Sequence, residues 1–227
     1  MACQRNTMVR RTPNVFLFIP NLIGYVRIAF AVVAFCIIRD VPGTAVALYL
    51  ASFFLDEFDG IAARAFNQES RFGAMLDMLT DRCATACLIV NLALLYPSAT
   101  PLFQLSLSLD LASHWLHTHS SVLKSNENHK IVGGSCNWLI RMYYNSHSVM
   151  SLICTGNELF YCCLLLCYHY SGPSVPGIKM GLYPLLVVTC APVALLKAVI
   201  SLMQLLSASA DITAMDCLNK EKKTSRD

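Results

Sequence analysis

The sequence predicts an all-α integral membrane protein, with six transmembrane helices behind a short N-terminal interfacial segment. Three observations predict it. Hydrophobic residues make up 56% of the 227-residue chain and charged residues only 14%, far more apolar than a soluble domain requires. Apolar runs of about 20 residues, long enough to cross a bilayer core of about 30 Å, recur between short polar or Pro/Gly-containing connections. Lys and Arg cluster in alternate connections, as a multi-pass topology requires. Six spans with their loops use up most of the length. One membrane domain over residues 1–227 is therefore expected, with residues 1–14 and 211–227 as polar tails.

Residues 1–14 are polar and basic, with Arg5, Arg10 and Arg11. They resemble a signal-peptide n-region, but no small-residue cleavage site follows the first apolar run, so that run is expected to be retained. Val15 to Ile19 reads as the interfacial segment. Pro20-Asn21 then breaks the run, and Asn21 is expected to cap a first span over about Leu22 to Ile38. Arg27 lies within that span, where it can snorkel or reach a phosphate. Pro42-Gly43 marks a turn, and a second span starts near Thr44. Residues 67–71 are a polar turn, and a third span runs from about Phe72 to Tyr96-Pro97. The fourth span covers about Leu102 to Val122, followed by the longest polar connection, Lys124 to Arg141. The fifth covers about Val149 to Tyr168. A Pro/Gly turn over Ser171 to Gly177 leads to the sixth, about Met180 to Leu206, and the charged tail from Asp211 reads as a fraying helix.

The N-terminus, the Asn67 turn, the Lys124 to Arg141 connection and the C-terminus hold most of the Lys and Arg. The alternate connections carry Arg39, no cation, and Lys179. Both termini are therefore expected on the cytosolic side, together with the turn between the second and third spans. The net charge of +3 sits in tails and loops and argues against a nucleic-acid partner. Most of the eleven cysteines lie in apolar stretches without a C-x-x-C pair, which favours small buried hydrophobes over disulfides or zinc.

The second and third spans carry the chemistry. Asp56 and Asp59 are spaced i,i+3 and Asp77 and Asp81 i,i+4, so each pair shares a helix face. In an antiparallel hairpin turning near residues 67–70, Asp56 faces Asp81 and Asp59 faces Asp77, which gathers four carboxylates into a layer roughly 5 Å tall. A charge at mid-membrane costs about 3 kcal/mol even on the mildest scale, and repelling neighbours cost more. Divalent cations answer this, because hard metals prefer carboxylate oxygen and can be bridged in pairs. Gly60 shares the face of Asp56, Asp59 and Ala63 and leaves room for a ligand, whereas Gly73 suits a ligand or close helix packing equally. Arg64, one turn beyond Gly60, can hold a diphosphate in fork geometry.

The pattern D-x-x-D-G-x-x-A-R-x8-G-x3-D-x3-D over Asp56 to Asp81 resembles the signature of the CDP-alcohol phosphatidyltransferases, with every defined position filled. The resemblance implies that Asp56, Asp59 and Asp77 bind two divalent ions, Mg²⁺ or Mn²⁺. It implies that Asp81 touches the second ion and serves as the base, and that Gly60, Arg64 and Ser70 contact the CDP-activated donor. Further stretches narrow the resemblance to the animal-type phosphatidylinositol synthases: Phe16 to Tyr25, Arg71 to Cys83, Asn91 to Pro97, Ser113 to His117 and Gly156 to Cys162. This subgroup implies transfer of a phosphatidyl group from CDP-diacylglycerol to myo-inositol with release of CMP, by a homodimer of the endoplasmic reticulum membrane. The spans offer Asp110, His114, His117, Glu158 and Lys197 as polar contacts, with Arg141 as a headgroup contact and Glu158 and Lys197 as a possible internal pair. Two other readings compete. A different acceptor alcohol is separated by an acceptor survey, and a cation transporter predicts metal flux without CMP.

Overall fold

The computed structural model describes residues 14–126, 143, 146–174, 177 and 179–224. Among these the regular structure is helical: α1 (Ile19–Ile37), α2 (Pro42–Ala65), α3 (Arg71–Leu95), α4 (Thr100–Asn126), α5 (His147–His169) and α6 (Leu182–Thr224). One-turn 3-10 segments at Val15–Leu17 and Pro97–Ala99 precede α1 and α4. A lone antiparallel bridge joins Ser174 to Gly181.

The first helix starts earlier than expected. Asn14, not Asn21, is the capping asparagine: its side chain accepts from the Phe16 amide at 3.1 Å and closes the 3-10 turn. Pro20 lies in the first turn of α1, where its missing N–H costs nothing and its fixed φ favours the helix. Asn21 is thereby inside α1, and its Nδ2 donates to the Val15 carbonyl at 2.6 Å, tying the interfacial turn to the helix.

The last helix ends later than expected. Between Pro192 and Thr224 no glycine or proline interrupts the chain, so α6 continues through Asp211. Asp211 Oδ2 pairs with Lys124 Nζ of α4 at 2.5 Å, and Met215 is buried, so this stretch is anchored. Arg141 lies outside the described residues.

The chain divides into two compact units, Met1–Asp81 and Arg82–Asp227. In the first, α1 packs on α2. The buried stripe of α1 is mostly small, with Gly24, Ala31 and Ala34, and that of α2 includes Ala45 and Ser52, so the backbones approach closely. Ser52 Oγ donates to the Arg27 carbonyl at 2.8 Å across this seam. A Cβ on Gly24 would sit 3.0 Å from Leu76 Cδ2, so the glycine also lets the start of α3 come near. In the second unit, α4 and α5 both pack on α6. Ile153, Ile200 and Tyr143 form its buried cluster, with Val193 and Leu196 packed against them.

The surface completes the membrane reading. Leu102, Leu105, Leu152, Leu195 and Trp115 are each at least 66% exposed, a burden in water and the norm in lipid. Among the described residues four helices are long and apolar enough to cross a membrane: α1, α3, α5, and α6 over Leu182–Cys217.

Candidate active site

The hairpin that carries the aspartates is shaped by its own turn. At the end of α2 the Phe66 amide donates to the Ala62 carbonyl at 3.0 Å. Asn67 then takes φ = 51°, a left-handed conformation that asparagine tolerates better than most residues. Ser70 Oγ accepts from the Gly73 amide at 2.9 Å and caps the start of α3. Gln68 Oε1 accepts from the Ile19 amide at 2.8 Å, pinning the turn to the start of α1.

Above this turn the four aspartates converge on one cation, Arg27. Its Nη1 lies 2.6 Å from Asp56 Oδ1, 2.6 Å from Asp59 Oδ2 and 2.9 Å from Asp77 Oδ1. Its Nη2 lies 2.5 Å from Asp81 Oδ1. Arg27 is 1% exposed, so its guanidinium is a buried hub for both halves of the motif. Sequence reading placed the four acids together and missed what stands among them. Two signals were available: an apolar chain with four clustered carboxylates needs a cation, and Arg27 is the one charged residue of α1.

The donor set fits divalent cations. One ligand oxygen each from Asp56, Asp59 and Asp77 lies within 4.8 Å of the others. Asp56 Oδ1 is buried without a hydrogen-bond partner, because its close approach to Arg27 is not aligned for one. One guanidinium matches one of four carboxylate charges, and oxygen-only ligands are what hard divalent cations select. Asp81 stands apart from this trio, on the other guanidinium nitrogen.

A cavity of about 280 Å³ is lined by Asp59, Asp77 and Glu69 together with Gly60, Gly73, Asn21 and Ser70. Of the three expected donor contacts, Gly60 and Ser70 line it. Arg64 is exposed, with its guanidinium folded over Gly60, where a Cβ would sit 3.6 Å from Nη1. Gly73 serves the cavity: a Cβ there would meet Asn21 Oδ1 at 2.8 Å and Ser70 Oγ at 3.1 Å. Asn21 and Gln68 also line the cavity, and nothing in the motif pointed to them.

The second unit has its own buried polar cluster. Arg82 Nη1 donates to both carboxylate oxygens of Asp110, at 2.9 and 2.7 Å. Lys197 Nζ is 3.3 Å from Asp110 and 3.2 Å from Ser201 Oγ, in place of the expected Glu158. Glu158 accepts instead from Thr85 at 3.1 Å and Asn157 at 3.3 Å. His114 Nδ1 lies 2.8 Å from the Asp110 carbonyl one turn before it, a polar contact within α4. The cavity beside them measures about 20 Å³, enough for a single water.

The family's sequence profile, described as CDP-alcohol phosphatidyltransferase, matches residues 17–160, which include the complete motif and Arg27. The chain belongs to the CDP-alcohol phosphatidyltransferase family. This family member is 55% identical over 213 residues to a mouse CDP-diacylglycerol–inositol 3-phosphatidyltransferase, covering 92% of this chain and 98% of the relative. It is 53% identical to the human protein of that name with the same coverage, and 43% identical to the Drosophila melanogaster protein over 92% of this chain and 91% of the relative. No solved structure matches the chain.

Proposed function

We propose that this CDP-alcohol phosphatidyltransferase moves the phosphatidyl group of CDP-diacylglycerol onto myo-inositol, giving phosphatidylinositol and CMP. The observation that carries the reading is identity of 53–55% over 92% of the chain to relatives named for this reaction, in a chain whose motif aspartates converge. Asp56, Asp59 and Asp77 would hold two divalent ions, Mg²⁺ or Mn²⁺, with Asp81 as a further ligand. Ions held there would neutralise the diphosphate and make CMP a good leaving group.

The remaining steps belong to the side chains. Gly60 and Ser70 admit and orient the donor, and Arg64 closes over the diphosphate with its planar fork. Asp81 is the base: an inositol hydroxyl attacks the lipid-side phosphorus, its proton passes to the Asp81 carboxylate, and the bond to CMP breaks. Arg27 holds the acids in one layer and offsets part of their repulsion.

The chain is one membrane domain of six spans, with α2 and α4, of 24 and 27 residues, joining the four more apolar helices. It resides in the endoplasmic reticulum membrane as a homodimer, with the site open to the cytosol. The test is an acceptor survey with purified protein, labelled CDP-diacylglycerol and Mg²⁺ or Mn²⁺. Phosphatidylinositol is the expected product with inositol; product only with serine, choline or glycerol phosphate overturns the choice of acceptor.

A further inference from the structure

Arg27 meets the aspartates in a geometry that suits an ion better than a guanidinium. Its Nη1 stands 2.6 Å from Asp56 Oδ1, 2.6 Å from Asp59 Oδ2 and 2.9 Å from Asp77 Oδ1. One nitrogen thus occupies the meeting point of the same three side chains that form the candidate metal set. A terminal arm of a guanidinium has two N–H donors, and both are taken: Nη1 donates to Asp59 at 2.6 Å and to Asp77 at 2.9 Å. Asp56 Oδ1 is left buried with no hydrogen bond in spite of its close approach. A divalent cation has no such limit, because it gathers about six oxygens around one point.

The rest of the side chain is held just as selectively. Nη2 keeps Asp81 Oδ1 at 2.5 Å, while Nε is buried without a hydrogen-bond partner, so the guanidinium is tied to the acids through its terminal nitrogens alone. The backbone beneath it is fixed, since Ser52 Oγ donates to the Arg27 carbonyl at 2.8 Å. A change of partner at the acids therefore needs only the side chain to move.

We propose that Arg27 is an exchangeable cation of this site, its guanidinium and a divalent ion competing for the centre between Asp56, Asp59 and Asp77. The inference rests on the two-metal reading above and deepens it. Metal–oxygen distances of about 2.1 Å would put an ion bound by these three carboxylates too close to Nη1 for both to stay. The guanidinium holds repelling acids together, and it raises the metal concentration at which they load. Linkage makes the antagonism reciprocal: the free energy by which the guanidinium opposes the ion is the free energy by which the ion releases the guanidinium.

The experiment follows Mn²⁺ binding by electron paramagnetic resonance, and the thermal midpoint in detergent with chelator or with saturating Mn²⁺, in wild type, Arg27→Gln and Arg27→Lys. Neither readout needs turnover. Arg27→Gln removes the competitor and should bind Mn²⁺ about tenfold more tightly than wild type. It should melt below wild type in chelator, and saturating Mn²⁺ should close most of that gap. Arg27→Lys keeps the charge without the second arm on Asp81. It should melt between the two in chelator and close to wild type in Mn²⁺, so the inference stays testable where Arg27→Gln does not fold. Mn²⁺ affinity in Arg27→Gln no higher than in wild type, or a midpoint gap as wide in Mn²⁺ as in chelator, overturns the exchange; where Arg27→Gln is lost, the gap of Arg27→Lys decides. Wild type that binds no Mn²⁺ instead overturns the metal reading beneath it.

Discussion

Arg27 shows how much of this site depends on a residue outside the motif. A buried guanidinium touching four carboxylates is worth most through what its loss would expose, since breaking such a group leaves unpaired charge in an apolar setting. Arg27→Gln is expected to destabilise the protein by about 3–5 kcal/mol, seen as a lowered thermal midpoint in detergent. An unchanged midpoint would return Arg27 to a snorkelling role. Asp81→Asn is expected to keep CDP-diacylglycerol binding while turnover falls by about 10² to 10⁴; normal turnover would remove Asp81 as the base. Arg64→Lys keeps the charge but not the fork, and weaker donor binding is expected in direct titration. The four acids were legible because their i,i+3 and i,i+4 spacing fixes a shared face within one hairpin. Arg27 and Asn21 were legible only as chemistry without an address. The partners of Arg27 lie tens of residues away along the chain, set by how α1 packs rather than by local spacing, whereas Asn21 is tied to Val15 only six residues before it.

At the scale of elements, helices and turns followed from apolar runs and Pro/Gly punctuation, while their ends followed from contacts. Pro20-Asn21 reads as a break, yet proline is tolerated in a first helical turn, so α1 begins at Ile19. The tail from Asp211 reads as fraying, yet Lys124 and a buried Met215 keep α6 helical to Thr224. Helix contacts give a sharper test. A Cβ on Gly156 of α5 would lie 2.6 Å from Val193 Cγ1 of α6, and a valine in a helix has almost no rotamer freedom to yield. Gly156→Ala should therefore cost about 1–3 kcal/mol, and adding Val193→Ala should recover much of it. Additive losses in the double variant would mean that the two helices do not meet there.

At the scale of the molecule, composition alone announced a membrane protein, and the outward leucines together with four strongly apolar helices agree with it. The other two helices were harder to weigh, because α2 carries the reactive acids that lower its apolarity. Six spans with both ends in the cytosol make a testable topology. A hydrophilic insertion with an N-glycosylation site in the Pro97–Pro101 connection should be modified in cells, and the same insertion at the N-terminus should not; the reverse pattern contradicts the orientation. In the proposed reaction one aspartate layer, loaded with divalent cations, uses inositol to release CMP. The most direct measurement is CMP release by the purified protein with CDP-diacylglycerol, varying inositol and Mg²⁺ or Mn²⁺ independently. Release that requires both inositol and metal is the predicted result, and release that persists in chelator, or none with any acceptor, would contradict the account.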